Sequence, residues 1–383
     1  MPKEESWENI LENISSTEPT IVLHCSKILC LSYDLLPLRL KPCFLYFAAY
    51  PEDFEIDVSK LIMLWVAEGF LKPGDQSKCL EDVGECYLED LVNRSLILVG
   101  KKWQDGKLKT VGIHDMLREI CMTKASAEEE GFLHHVSSKR SGRKDDTENP
   151  NRRLAIDCGH SFRTWPIQDS SSCSVFIFSE RNFELRLCQS CRCLRILHAP
   201  RVSLPNFSDV ISTFINLRYI AFTLNHTSSG GRFPTSISKL GNLQTIIAHV
   251  PCVSQNNPLQ VPYEIRHMRK LRHLIMNTTF CLSSPSDREV IGGSDLRTLD
   301  TVVNFIFTEK SIEILVNLKK LRVVFEKWFC TGYSFNLNNL FRLQNLEELH
   351  VFVRQWHKSS MIWNHAFPTS LKELARDGVP LPW

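Results

Sequence analysis

The sequence predicts an α+β chain of two unlike parts: a mainly helical domain with a β-wing, then a solenoid of short parallel strands. Three observations carry that expectation. Apolar residues fall at helical spacing between Ile28 and Ala127, a Leu-x-x-Leu/Ile pair returns every 22 to 28 residues through the second half, and a polar, charged run separates the two.

Ser26–Leu36 places apolar residues on one helical face, and Pro37 ends it. Leu38–Tyr50 reads as a second helix, so apolar throughout that burial on all sides is expected. Pro51-Glu52-Asp53 turns the chain. Asp57 or Ser59 then caps a helix through Leu61, Leu64, Trp65 and Ala67, which Gly69 stops. A further helix covers Leu80–Arg94. Leu96–Trp103 and Leu108–Ile113 form a hairpin turned at Gln104-Asp105-Gly106, and a last helix starts near His114. Helices, a β-wing and another helix make a winged-helix domain.

Ser137–Arg153 is polar, charged and without periodicity, so it reads as a linker. Beyond it the pair stands at Leu194/Leu197, Leu217/Ile220, Leu243/Ile246, Leu271/Leu274, Leu296/Leu299, Leu318/Leu321, Leu346/Leu349 and Leu371/Leu374. That period belongs to leucine-rich repeats, which bury their apolar faces only by stacking. Ala199, Phe222, Ala248, Met276, Val323 and Val351 continue the strand alternation two places on. Arg153–Ile156 and Ser174–Phe178 read as two degenerate strands that extend the array forward.

The 383 residues are 43% hydrophobic and 23% charged, a composition of soluble globular domains. No run approaches the roughly 18 apolar residues of a membrane helix. The polar, acidic start predicts no signal peptide and a cytoplasmic location, with peripheral-membrane or nuclear placement as variants. Fourteen Cys without regular spacing imply reduced thiols. The net charge of +2 conceals an asymmetry: residues 1–135 hold 14 Lys/Arg against 23 Asp/Glu, a balance of −9, and the rest hold 31 against 20, a balance of +11. The two halves should therefore attract each other, and the acidic half is unsuited to nucleic acid.

Lys41-Pro-Cys-Phe-Leu-Tyr-Phe-Ala-Ala-Tyr-Pro-Glu-Asp-Phe54 and Leu61-Ile-Met-Leu-Trp-Val-Ala-Glu-Gly-Phe-Leu71 closely resemble the winged-helix region of plant NB-ARC leucine-rich-repeat immune receptors. Leu31–Lys41 fits the same family. Val111-Gly-Ile-His-Asp-Met-Leu-Arg118 matches its Met-His-Asp motif, with Ile113 in place of Met. The resemblance is to the coiled-coil class, near the late-blight resistance proteins. It implies intracellular pathogen sensing and a defence response: the repeats recognise a pathogen effector or a guarded host protein, and restrain the winged helix at rest. It further implies that His114 contacts the β-phosphate of bound ADP and that Asp115 supports the off state. The family's phosphate-loop pattern G-x-x-x-x-G-K-[ST] does not occur here. No cofactor is therefore expected for this chain by itself; ADP and ATP belong to a full-length receptor. The chain resembles the back half of one: residues 1–25 the tail of a preceding helical subdomain, 26–135 the winged helix, 136–153 the linker and 154–383 the repeats.

Cys188, Cys191, Cys193 and His198 include a C-x-x-C pair, but no second pair lies at zinc-finger spacing, and a core role is expected. Lys139–Lys144 reads as solvated linker rather than an import signal. No hydrolase, protease or Cys–His catalytic signature occurs, so the chain is not expected to be an enzyme. The competing readings are a truncated, non-signalling decoy or modulator, a leucine-rich-repeat adaptor in protein turnover, and a winged-helix transcription regulator. Residues 1–36 supply no F-box-like segment for the second, and the −9 balance of residues 1–135 opposes the third.

Overall fold

The computed structural model describes residues 21–73, 79–103, 105–127 and 132–137, and from 153 to 377 the repeat strands with most of the turns that join them. Two compact units result, Met1–Leu133 and His134–Trp383. Among the described residues no helix is long and apolar enough to cross a membrane.

In the first unit a helix spans Ile21–Asp34. The segment expected as one helix over Leu38–Tyr50 is shorter and broken. Leu40 N–H bonds the carbonyl of Pro37 in a turn, an α-helical turn covers Lys41–Leu45, and a 3-10 turn covers Tyr46–Ala49. Pro42 explains the late start, since proline is suited to the first turn of a helix and not to its interior. The expected burial is observed: Cys43 to Ala49 are each 1% exposed or less. Asp57 caps the helix Val58–Glu68 by accepting the Lys60 N–H at 3.0 Å. Gly69 ends it at φ 81°, a left-handed conformation that glycine reaches without a Cβ clash.

The helix Leu80–Asn93 packs on this one, and the wing follows. Its three-stranded antiparallel sheet orders Ile56–Asp57, Thr110–Gly112 and Leu98–Val99, with Thr110–Gly112 in the middle. The paired strands are shorter than the hairpin expected over Leu96–Ile113, and an isolated bridge, Lys102 to Leu108, lies near the tip. Between the ladder and the tip the Lys101 carbonyl accepts the N–H of both Lys109, at 2.9 Å, and Thr110, at 3.1 Å, a bulge that interrupts regular pairing, while Lys101 and Lys107 pair with Glu55 and Glu85. Lys109 instead lies 4.0 Å over the ring of Trp103.

In the second unit, among the described residues, eleven strands follow one another in chain order along the main path of one parallel sheet, from His134–Ser137 to Glu373–Asp377. Both degenerate strands are present, as Arg153–Cys158 and Ser174–Ser179. So are all eight that the Leu pairs announce. The strand His134–Ser137 is an addition: Val136 and Ser137, read as linker from sequence, pair with Ile156 and Asp157. Residues 138–152 of that linker lie outside the described residues.

The pleat sends alternate residues inward. Leu197, Ile220, Ile246, Leu274 and Leu299 share one register row and are fully buried. The repeat at Leu299 lacks an apolar residue two places on. There the chain bulges, Thr301 takes φ 70°, and Val302 fills the inward position opposite Val323. Among the described residues the return limbs carry a second apolar series that the Leu pair only begins to reveal. Ile237, Leu240 and Leu243, then Ile265, Met268 and Leu271, recur three residues apart, which is the period of a 3-10 helix. Strand and return series close on one continuous core from Ile156 to Val351.

Candidate functional site

His114 follows the central wing strand and stands at the N-terminus of the helix Asp115–Ala127. Its carbonyl accepts the Arg118 N–H at 2.9 Å, and its ring Nδ1 accepts the Met116 N–H at 3.3 Å. An accepting Nδ1 carries no proton, so the neutral ring keeps its proton on Nε2. His114 and Asp115 are both exposed. The helix end supplies partial positive charge beside them, and Asp115 sits where an acidic residue is favoured.

One turn on, Arg118 fixes the helix to the rest of the unit. It is 8% exposed, and its Nε donates to the carbonyl of Tyr50 at 2.8 Å while Nη1 lies 3.4 Å from Glu52 Oε1. Cys121 Sγ donates to the Phe44 carbonyl at 3.5 Å. Burial pushes the Cys43 and Cys121 thiols far up, which keeps them protonated and unreactive. Glu52 is mostly exposed and its ion pair contributes little. The bond to Tyr50 is the one that matters. Arg118→Met is expected to cost about 1–3 kcal/mol, because a buried carbonyl loses its partner. Arg118→Lys should recover only part, since an ammonium lacks the planar fork. Urea denaturation of the three proteins measures both.

The strand before His114 is held from the other side. Glu55 Oε1 accepts the Thr110 hydroxyl at 2.7 Å, and Lys101 Nζ lies 2.8 Å from the same oxygen. These bonds, Lys101's first and Thr110's second, hold the Glu55 carboxyl below its ordinary range.

The open face of the repeat sheet is the second candidate. Its outward positions change character along the array. Early strands present Ile196, Tyr219 and His198, all buried, with His198 Nδ1 3.0 Å from the Tyr219 hydroxyl and its ring beside Phe176 and Phe178. Late strands present charge: Arg322 pairs with Asp300 at 2.8 Å and Lys320 with Glu348 at 2.6 Å. The core role expected of Cys193 is corrected, for it is exposed in the turn before its strand. Cys188 and Cys191 lie outside the described residues.

Sequence reading missed a set of asparagines. Asn216, Asn242 and Asn345 each precede a Leu of the pair, and each donates to a carbonyl of the previous repeat, those of Arg192, Ile215 and Val316, at 2.9 to 3.1 Å. The recurring Asn-Leu dipeptide is the signal that finds them.

Comparison with known proteins agrees with both units. The family model described as the disease resistance protein winged helix domain matches residues 49–121. A disease resistance RPP8-like protein 2 of Arabidopsis thaliana is 31% identical over 84% of this chain and 35% of its own length. Two Solanum demissum proteins are also similar: late blight resistance protein homolog R1B-14, at 31% over 84% of this chain and 24% of its own, and late blight resistance protein R1-A, at 34% over 72% and 22%. The chain thus spans about a third of the first relative and less than a quarter of the other two. A solved leucine-rich-repeat protein of Leptospira interrogans overlays with a TM-score of 0.39 at 15% identity, over 60% of this chain and 62% of that one, too loosely to inform function. With a resistance-type winged helix, a repeat solenoid and these relatives, the chain belongs to the plant NB-ARC leucine-rich-repeat disease resistance proteins.

Proposed function

We propose that this chain is the C-terminal part of an intracellular plant immune receptor, whose repeats recognise a pathogen effector or a guarded host protein and restrain the winged helix at rest. The observation that carries this is the union, in one chain, of a resistance-type winged helix with a repeat solenoid, among relatives named for disease and late blight resistance. The opposed balances, −9 for residues 1–135 and +11 for the remainder, support restraint by electrostatic attraction. Engagement of the repeats would weaken that restraint and shift the population to an active conformer. In a receptor that binds nucleotide, His114 would give its Nε2–H to the ADP β-phosphate at the helix N-terminus, and Asp115 would support the resting arrangement.

The test is genetic and biochemical. Plants lacking the gene are expected to lose resistance, or hypersensitive cell death, against at least one isolate in a pathogen panel; unchanged responses across a broad panel would overturn the receptor reading. A full-length receptor that contains this chain, recovered from tissue, is expected to release ADP on denaturation, and less of it when His114 is replaced by alanine, whereas the chain by itself is expected to release none. Suppression of a relative's signalling by this chain alone would instead select the decoy reading.

A further inference from the structure

We propose that Glu348, His350 and Glu373 form a zinc-binding site on the open face of the last two strands of the repeat sheet. Glu373 lies 23 residues beyond His350 in the chain, and strand register brings it to the other two. Glu348 and His350 are two residues apart on the strand Glu348–Arg354, so they share a face, while Leu349 and Val351 between and beyond them are fully buried. Glu373 is the register partner of Glu348 on the adjacent parallel strand. One ligand atom from each of the three lies within 4.8 Å of the other two.

The donor set and its surroundings suit a divalent cation. Two carboxylates placed directly opposite each other on neighbouring strands repel unless a cation lies between them. Lys320 supplies part of that compensation, with Nζ 2.6 Å from Glu348 Oε1, and His350 Nε2 lies 3.5 Å from Glu373 Oε1. A site of two carboxylate oxygens and one imidazole nitrogen matches zinc, whose bonds of about 2.0–2.2 Å set the donors about 3.3–3.6 Å apart in a tetrahedral site. Contraction from 4.8 Å calls for rotation of the glutamate side chains, with Glu348 sharing or giving up its bond to Lys320 and the ion taking the place of the contact between His350 and Glu373. The side chains of His350, Glu348 and Glu373 are 19%, 27% and 44% exposed, so the site is partly desolvated yet open to a fourth ligand from solvent or from a partner protein. A magnesium ion would be a poor occupant, because it prefers six oxygens and keeps its waters.

The test is titration of the whole folded chain with zinc chloride, in reducing buffer after treatment with a chelator, followed by calorimetry. Saturable binding that includes this site is expected, with magnesium giving none. His350→Ala and Glu373→Gln should each weaken that step by about tenfold or more, in line with the loss of one ligand of three, and Lys320→Met should strengthen it by removing the competing ammonium. Cobalt(II) at this site should show no sulfur charge-transfer band, which separates it from the chain's cysteines. Circular dichroism establishes that each variant is folded; Glu373→Gln keeps the side-chain shape and guards against a folding artefact. Absence of saturable zinc binding overturns the proposal. So does a zinc titration unaltered by His350→Ala and Glu373→Gln, or one weakened by Lys320→Met.

Discussion

Replacing Trp65 by alanine is expected to cost the winged-helix unit about 3–5 kcal/mol, a large share of the stability of any single domain. Trp65 is fully buried in the helix Val58–Glu68 and meets Phe47 edge-on, with centroids 6.3 Å apart. Its truncation would leave a cavity under the apolar segment Cys43–Ala49, which has no polar face with which to rearrange. Trp65→Phe should behave quite differently. The indole Nε1 is buried without a hydrogen-bond partner among the described residues, a desolvation that costs about 1–3 kcal/mol and that phenylalanine does not incur. Loss of ring volume works against this gain, so the phenylalanine variant is expected within about 1.5 kcal/mol of wild type. Denaturant titration of the three proteins decides between them. If phenylalanine costs as much as alanine, the indole N–H has a use that its surroundings do not reveal.

What the sequence disclosed follows the range of the signals. Capping by Asp57 and the stop at Gly69 are local events of backbone chemistry, and both are found where the residues place them. The repeat strands were legible for a similar reason: the Leu pair recurs because every strand faces the same core. The 3-10 period of the return limbs was equally present in Ile237, Leu240 and Leu243 but was hidden behind the stronger strand pattern. Leu38–Tyr50 misled because continuous apolarity reports burial without reporting which helix, or how many turns, achieves it. His134–Ser137 was missed because a four-residue strand beside a charged run has almost no pattern of its own, and its pairing with Arg153–Cys158 is decided by a neighbour across the linker. The candidate sites divide along the same line. His114 was reachable through a contiguous motif, whereas the bond from Arg118 to Tyr50 spans 68 residues and the juxtaposition of Glu348 and Glu373 depends on strand register.

Leu274→Ala is the second change with a large expected effect, about 2–5 kcal/mol, and its location makes it informative beyond its size. Leu274 is fully buried with Ile246 on one side and Leu299 on the other, each in the same register row. A solenoid repeat interacts with its neighbours alone, so the loss should be expressed as local opening rather than as uniform weakening. Amide hydrogen exchange is expected to accelerate first in Thr245–His249, His273–Met276 and Thr298–Val303, with protection retained in the helix Val58–Glu68. The same truncation at Leu374 should cost less than half as much. That side chain is only partly buried, and the described strands pair with its strand on one side alone. Exchange that accelerates together in all the repeat strands would mean that the array unfolds as a single unit. Exchange that Leu374→Ala accelerates in Glu373–Asp377 alone would mean that stability falls towards its C-terminal strand. In that case the strand that carries Glu373 is also the one most easily ordered by a ligand, and zinc should slow exchange there more than at any strand further back.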